Sequence, residues 1–272
     1  MSTTKPTFVL APGAWHKETC YSPAQKILES RGYPVEAVEY PSVGAEPPTK
    51  GLTDDANAVR AVLQRLADEG KEIVLVVHSY GGLVGANAVE GLGYKQRAKE
   101  GKKGGVITFV YLSAFVVPKG KCIREMLGGQ FLPWMKFEVR RCGEKRVDDQ
   151  TPKLTFLQGN YVYAETPEVF FYHDVEPETR AKAIEQLQHQ SAQVFDDVVT
   201  YEPWHEIDSM FFFCDEDKAI PLAVQQGMAT ILGPTAITYS SKASHSPFLS
   251  QPGDVAEGLE LAAKVGQERV KA

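Results

Sequence analysis

The stretch Ile73-Val74-Leu75-Val76-Val77-His78-Ser79-Tyr80-Gly81-Gly82-Leu83 decides the fold of this chain. Its first five residues form an apolar run typical of a buried strand, and small residues and good helix formers follow as far as Glu90. The pattern predicts a strand, a sharp turn with Ser79 at its tip, and a helix, which is the arrangement called a nucleophile elbow. Gly81 is expected to let the helix cross tightly over the strand. The common G-x-S-x-G pattern has a further glycine where this chain has Val77, so the other groups of such a site must be found independently.

Strand-like and helix-like patterns alternate through the first part of the chain and again at its end. Short apolar runs predict strands at 8–11, 35–40, 73–78, 106–112, 210–214 and 236–239. Helical patterns separate them at 23–30, at 54–68 with Thr53 as the capping residue, after Pro221, and at 254–270. Buried strands without polar alternation, separated by helices, indicate a parallel sheet covered on both faces. The sequence therefore predicts an α/β fold with a mostly parallel central sheet flanked by helices.

The alternation stops between Val116 and His205. This segment is rich in aromatic residues, proline and glycine, and its clearest helix is predicted from Pro177 to about Phe195. We interpret residues 116–205 as a helical cap inserted into a core made of residues 1–115 and 206–272. Aromatic residues in such a cap are expected to cover an active site, while the alternative, that they pack a small core of the cap itself, stays open.

The composition excludes several classes of protein. The chain has 272 residues, of which 43% are hydrophobic, and a net charge of −6. This is enough apolar material for a sizeable core, and the acidic balance argues against a nucleic-acid partner. The basic stretch from Lys95 to Lys103 is expected to be a solvated loop. No apolar run approaches the roughly 18 residues needed to span a membrane, so no membrane association is expected.

The four cysteines indicate reduced thiols and a cytoplasmic protein, since they show no paired spacing and no signal peptide precedes them. A disulfide between Cys122 and Cys142 is the less favoured alternative. Neither a phosphate-binding loop nor a dinucleotide fingerprint nor a metal-ligand motif is found, so we expect no cofactor and no metal. The expected partner is a small-molecule substrate, and a homodimer is left open.

A serine becomes a good nucleophile when a histidine takes its proton and a carboxylate orients that histidine. Of the six histidines, only His245 lies in a loop after a late predicted strand, at the carboxyl edge where sites of α/β proteins lie. The acid is expected after the preceding strand, where Asp215, Glu216 and Asp217 follow one another. We predict Asp217, because the loop must leave the sheet before it turns toward the histidine, and Asp215 is the second choice.

An oxyanion needs two N–H donors that are already in place. The amide of Tyr80, at the start of the helix after Ser79, is expected to be one of them. The glycine-bearing loop Pro12-Gly13-Ala14-Trp15-His16 follows the first predicted strand and reaches the same edge of the sheet. We therefore predict the amide of Ala14 as the second donor.

These motifs together carry a resemblance to a known family. The stretches at 10–16, 78–82, 216–221 and 245–249 resemble the α/β-hydrolase superfamily, more narrowly its branch of plant methylesterases, salicylate-binding proteins and hydroxynitrile lyases with their fungal relatives. The resemblance covers nearly the whole chain and implies a triad of Ser79, Asp217 and His245. The lyases of that branch carry a lysine after the catalytic histidine and a threonine in the oxyanion loop. Ser246 and Gly13 stand at those positions here, which favours ester hydrolysis.

The sequence thus predicts a cofactor-independent serine hydrolase that cleaves a small, largely apolar carboxylic ester, thioester or lactone through an acyl-enzyme. Two alternatives stay open, namely the same triad used for C–C cleavage, condensation or cyclisation, and a small-molecule receptor on a hydrolase fold. Aromatic and neighbouring residues of the cap and of the loops are expected to line the substrate cavity: Trp15, His16, Trp134, Phe137, Tyr161, Tyr163, Trp204 and Phe248.

Overall fold

The computed structural model describes residues 4–140 and 159–271. The strands of this part are, in chain order, β1 (Thr7–Ala11), β2 (Val35–Ala37), β3 (Glu72–His78), β4 (Gly105–Leu112), β5 (Met135–Arg140), β6 (Gly159–Ala164), β7 (Gln190–Ser191), β8 (Ser209–Cys214) and β9 (Ile237–Ser241). Its α-helices are α1 (Ser22–Ser30), α2 (Leu52–Asp68), α3 (Gly81–Val89), α4 (Tyr94–Lys99), α5 (Ile123–Met126), α6 (Pro167–Phe170), α7 (Pro177–Gln186), α8 (Leu222–Ala229), α9 (Pro247–Ser250) and α10 (Pro252–Arg269).

Six strands form the central sheet in the order β2-β1-β3-β4-β8-β9, and each of these pairings is parallel. The predicted parallel sheet flanked by helices is confirmed. The chain moves from β1 to one side of the sheet to form β2 and to the other side to form β3. In open α/β sheets ligands bind at such a switch point, outside the carboxyl ends of the strands. The loops after β1 and β3 both leave the sheet there.

The two faces of the sheet are buried against different helices, because successive side chains of a strand point to opposite sides. Phe8 and Leu10 of β1 belong to the apolar cluster that includes side chains of α1 and α10. Val9 and Ala11 belong to the cluster that includes side chains of α2 and α3. All four residues are at most 1% exposed. Full burial of such a side chain contributes roughly 1.5–3 kcal/mol, so an unbroken apolar run is what a doubly covered strand requires.

The segment between residues 116 and 205 differs from the helical cap that the sequence predicted. It contains short helices, but also an antiparallel sheet in the order β5-β6-β7. The helix expected from Pro177 to about Phe195 ends at Gln186, because Gln190 and Ser191 extend to pair with β6. An isolated bridge between Val43 and Gln190 joins this small sheet to the core.

Two local expectations are also corrected. Helix α2 begins at Leu52, one residue before the predicted cap Thr53, and the Asp54 carboxylate accepts the N–H of Gly51 at 3.0 Å. The basic stretch from Lys95 contains most of α4 rather than forming only a solvated loop. Arg97 is buried there because its guanidinium donates to backbone carbonyls and to the carboxylate of Asp68 at 2.9 Å.

Among the described helices, none is long and apolar enough to cross a membrane. Cys20, Cys122 and Cys214 are free thiols. Cys142, the partner in the less favoured disulfide, lies outside the described residues.

Candidate active site

Ser79 lies in the turn between β3 and α3, at the carboxyl edge of the central sheet. Its φ of 53° falls in the left-handed region, which residues other than glycine seldom adopt. The Ser79 carbonyl accepts the N–H of Gly82 and the N–H of Phe115, each at 3.1 Å. A Cβ at Gly82 would lie 2.0 Å from the Phe115 carbonyl oxygen. The predicted strand, turn and helix are present, and Gly82 is the residue whose missing side chain lets the next loop close over the turn.

The crossing of α3 over β3 explains why Val77 is tolerated in the turn motif. A Cβ at Gly85 of α3 would lie 2.5 Å from Cγ1 of Val77. The glycine that this close contact requires is therefore on the helix rather than on the strand. Gly81, which we expected to serve the crossing, faces the loop after β1 instead, since a Cβ there would lie 2.7 Å from the Pro12 carbonyl oxygen.

His245 and Asp217 form a buried pair beside Ser79. The His245 Nδ1–H donates to Asp217 Oδ2 at 2.6 Å, and the two residues are 2% and 5% exposed. In the neutral ring this leaves Nε2 as the proton-accepting nitrogen. The same carboxylate accepts the Ser113 hydroxyl at 2.5 Å and the N–H groups of Ala219 and Ile220 at 2.7 and 2.8 Å. Four donors hold its orientation.

The second-choice acid lies elsewhere. Asp215 and Glu216 are exposed on the turn after β8, and the backbone N–H of Asp215 donates to the Ser241 carbonyl. The structure brings Asp217, rather than Asp215, to His245.

A second histidine, His78, supports the loop that carries His245. It is fully buried, and its Nε2–H donates to the His245 carbonyl oxygen at 2.7 Å. Burial, together with the nearby His245 and His16 rings, holds the pKa of His78 well below its ordinary value, so the ring is neutral. A Cβ at Gly13 would lie 2.8 Å from His78 Nδ1 and 3.0 Å from Ser79 Cβ. Glycine at this position therefore lets the loop after β1 approach the serine.

A cavity of about 30 Å³ opens next to Ser79. Its polar members, Ser79 and His245, meet side chains from the core and from the 116–205 segment. Ala14 and Tyr80, the residues whose amides were predicted as oxyanion donors, also line it. The other lining residues are Trp15, Phe115, Ile123, Leu127, Leu132, Trp134, Met135, Phe171, Phe195, Ala219 and Ile220. Such an arrangement suits an apolar group placed against a nucleophile.

Of the eight residues predicted to line the cavity, only Trp15 and Trp134 do so. Phe137 lies two residues beyond Met135 on β5, where it is 38% exposed and packs on Phe131 with 4.3 Å between ring centroids. Trp204 lies on the short turn Pro203–His205 and packs on His205.

The two tyrosines of β6 face away from the cavity. Tyr161 donates its hydroxyl to Glu46 at 2.7 Å, and the rings of Tyr161 and Tyr163 both contact His189. Val162 points to the opposite face and is fully buried, as the alternation along a strand requires. The side of β6 that packs into the apolar core carries this valine, whose carbonyl accepts the indole N–H of Trp15.

Phe248 and His16 do not line the cavity beside Ser79. Phe248 is fully buried, with its ring 5.1 Å from that of His78. His16 donates from Nδ1 to the Ala14 carbonyl at 2.7 Å and accepts the Tyr172 hydroxyl at Nε2 at 2.8 Å. Burial lowers the pKa of His16 to about 4, so this ring is neutral.

Sequence reasoning missed the aliphatic and aromatic residues that complete the cavity. Phe115 comes three residues after the end of β4, and the apolar run of the sequence shows where that strand ends. The sequence could therefore have placed Phe115 at the edge of the sheet. Phe171 and Phe195 come from the 116–205 segment, whose path the periodicity did not give.

The fold and this arrangement define a class of protein. The sequence profile described as the alpha/beta hydrolase family matches residues 8–258, and the chain belongs to that family of enzymes. It is 29% identical over 259 residues to the alpha/beta hydrolase nvfD of Aspergillus novofumigatus, covering 95% of this chain and 97% of the relative. It is 28% identical to a pyrethroid hydrolase of Sphingobium wenxiniae, covering 92% of this chain and 85% of the relative. The crystal structure of polyneuridine aldehyde esterase has a TM-score of 0.75 at 18% identity, covering 94% of this chain and 98% of the other, which shows the same fold.

Proposed function

We propose that this protein is a cofactor-independent serine hydrolase that cleaves a small, largely apolar carboxylic ester, thioester or lactone. Ser79 Oγ attacks the carbonyl carbon while His245 Nε2 takes the hydroxyl proton. The oxyanion that forms accepts the amide N–H groups of Ala14 and Tyr80. His245 then gives its proton to the departing alcohol or thiol, and an acyl group remains on Ser79. Water attacks this acyl-enzyme by the same route in reverse, releasing the acid.

The observation that carries the proposal is the buried pair of Asp217 and His245, 2.6 Å apart, beside a serine held at the tip of a left-handed turn. A carboxylate with this contact keeps the proton of the neutral ring on Nδ1 and stabilises the imidazolium that forms during attack. Relatives named as hydrolases along nearly the whole chain support the same chemistry.

The preference for an apolar substrate follows from the walls of the cavity. Apart from Ser79 and His245, the side chains there are aliphatic or aromatic. A charged acyl group would lose its hydration without gaining a partner, which disfavours it strongly. The small volume of about 30 Å³ favours a short acyl chain.

Initial rates on p-nitrophenyl acetate, butyrate and octanoate, with the released acid quantified, test the proposal. The wild-type protein and the matched control Ser209→Ala, a buried serine at the amino end of β8 and so at the opposite edge of the sheet from the site, should both hydrolyse the short esters. Ser79→Ala should lose activity by at least about 1,000-fold. Equal activity of wild type and Ser79→Ala would refute the proposal. Binding of esters without release of acid would favour the receptor alternative, and products other than acid and alcohol would favour the non-hydrolytic one.

The cytoplasmic location, the division into a core of residues 1–115 and 206–272 with a cap of 116–205, and the absence of a nucleic-acid, membrane or cofactor partner stay predictions. Light scattering of the purified protein would decide whether it forms the homodimer that was left open.

A further inference from the structure

A buried chain of hydrogen bonds connects the two loops that carry the proposed oxyanion donors. At its centre is Asp55 of α2, which is fully buried and forms no ion pair among the described residues. Its carboxylate accepts the backbone N–H of Ser42 at 2.9 Å, the Ser42 hydroxyl at 2.5 Å and the Tyr80 hydroxyl at 2.8 Å. One branch of this series of hydrogen bonds therefore ends at Tyr80, the residue directly after Ser79.

The other branch passes through Gln190, a fully buried residue of β7. Its Nε2 donates to Ser42 Oγ at 2.5 Å, and its Oε1 accepts the backbone N–H of Trp15 at 3.1 Å. The Trp15 N–H belongs to the peptide that follows Ala14. Gln190 thus reaches from the 116–205 segment to the loop that carries the second proposed donor.

The carboxylate of Asp55 fixes which group donates and which accepts in each of these hydrogen bonds. An ionised carboxylate only accepts, so the hydroxyls of Ser42 and Tyr80 must both donate to Asp55. Ser42 Oγ then accepts from the amide nitrogen of Gln190, which turns the amide oxygen toward the Trp15 N–H. Each of these polar side chains has its hydrogen-bond partner only when the other side chains keep their orientation. Buried networks of this kind specify a single arrangement.

The backbone of Trp15 needs this support. Its φ of 66° is in the left-handed region, where a bulky residue is an outlier. Besides its N–H contact to Gln190, Trp15 accepts the Gln188 N–H at its carbonyl at 3.0 Å and donates its indole N–H to the Val162 carbonyl at 2.9 Å. All three partners come from the 116–205 segment.

We propose that Gln190, Ser42 and Asp55 form a positioning network that holds the Ala14–Trp15 peptide and Tyr80 so that both oxyanion donors face the same point. This inference rests on the proposed function. It also assigns the 116–205 segment a second role, since the segment then sets the electrostatics of the site in addition to covering it. None of the three side chains needs to touch the substrate.

Two pairs of variants test the network on the ester that the wild type hydrolyses fastest. Gln190→Met keeps the length of the side chain and removes both contacts, and Gln193→Met is its control on the exposed part of the same segment. Tyr80→Phe removes one hydroxyl, and Tyr111→Phe is its control, because the buried Tyr111 hydroxyl has no hydrogen-bond partner in the described structure. The measurements are kcat, KM, melting temperature, and inhibition by a trifluoromethyl ketone that forms a tetrahedral adduct with serine.

The network predicts that Gln190→Met and Tyr80→Phe lower kcat by about 10- to 100-fold with KM changed less than about twofold. Inhibition by the trifluoromethyl ketone should weaken by a similar factor, because that adduct uses the oxyanion donors. Both controls should stay within about twofold of the wild type.

Three results would overturn the inference, and they are distinguishable. If the wild type and Ser79→Ala are equally inactive, the proposed function fails and the network loses its role with it. If the wild type is active and both test variants match it in kcat, the network proposal fails alone. If the test variants lose thermal stability while kcat and the inhibition constant of the ketone stay unchanged, the three residues serve the fold only.

Discussion

Replacing Asp55 by asparagine should change how the stability of the protein depends on pH. Burial raises the pKa of this carboxyl from 3.8 to about 6, against the opposing effect of the hydrogen bonds from Ser42 and Tyr80, and the neighbouring charge of Asp54 raises it further. Below the unfolded-state value both states are protonated and ionisation has no effect on stability. As the pH rises, the unfolded chain loses its proton first, so the free energy of unfolding falls until about pH 6.

The size of this change in stability follows from the two pKa values of Asp55, 3.8 in the unfolded chain and about 6 in the folded protein. Each unit of pKa difference corresponds to about 1.4 kcal/mol, so ionisation of Asp55 destabilises the folded wild type by about 3 kcal/mol in full. Asparagine does not ionise. The free energy of unfolding of Asp55→Asn minus that of the wild type should therefore increase by about 2 kcal/mol between about pH 4.5 and about pH 7.5. Groups that titrate equally in both proteins, His16 and His78 among them, cancel in this difference.

Urea titrations followed by tryptophan fluorescence give the free energy of unfolding of the variant and of the wild type at each of the two pH values. Asp54→Asn is the matched control, because the Gly51 amide and Lys50 lower the pKa of Asp54 and its titration lies below this pH range. The Asp54 charge is the smallest of the effects on the pKa of Asp55, so the difference of this control from the wild type should increase with pH by much less than that of Asp55→Asn. A pH-independent difference for Asp55→Asn, or an equal increase for Asp54→Asn, would refute the assignment of a buried carboxyl that resists ionisation.

Three further substitutions, two of them paired with a control, have defined outcomes. Asp217→Asn should lower kcat by about 1,000- to 10,000-fold without unfolding the protein, while Asp215→Asn stays near wild type, and the reverse order in an esterase assay would refute the assignment of the acid. Gly82→Ala should abolish both activity and thermal stability, since its Cβ would lie 2.0 Å from a backbone carbonyl oxygen; a melting temperature equal to that of the wild type would contradict this. Trp134→Ala should shift kcat/KM toward longer acyl chains, whereas Phe137→Ala should leave the order of preference unchanged, as relative rates on the p-nitrophenyl esters will show.

The sequence predicted the central sheet and brought the residues of the proposed triad to one edge of it, because both depend on local patterns. A doubly covered strand must be apolar throughout, so β3 and β4 stand out as continuous runs. Residues at the carboxyl ends of parallel strands share one edge of the sheet, which is why the sequence alone predicts that the loops of Ser79, Asp217 and His245 lie together.

Local sequence patterns do not predict the structure of the 116–205 segment, because that structure depends on pairing between residues that are distant in the sequence. Gln190 and Ser191 follow a helical pattern in sequence, yet they extend because β6 and the loop at Ser42 offer hydrogen-bond partners. Neither partner is near in the chain. The orientation of Tyr161 and Tyr163 depends on the register of that same pairing, and a shift by one residue would have turned both to the face of β6 on which Val162 is buried.

Labelling with a fluorophosphonate, read by intact mass and then by peptide mass, decides whether Ser79 is the nucleophile that His245 activates. We expect one phosphonyl group per chain, on the peptide that contains Ser79, no labelling of Ser79→Ala, and a rate of labelling at least about 1,000-fold lower in His245→Ala. Labelling at another residue, or labelling of Ser79 at the wild-type rate in His245→Ala, would contradict the proposed mechanism.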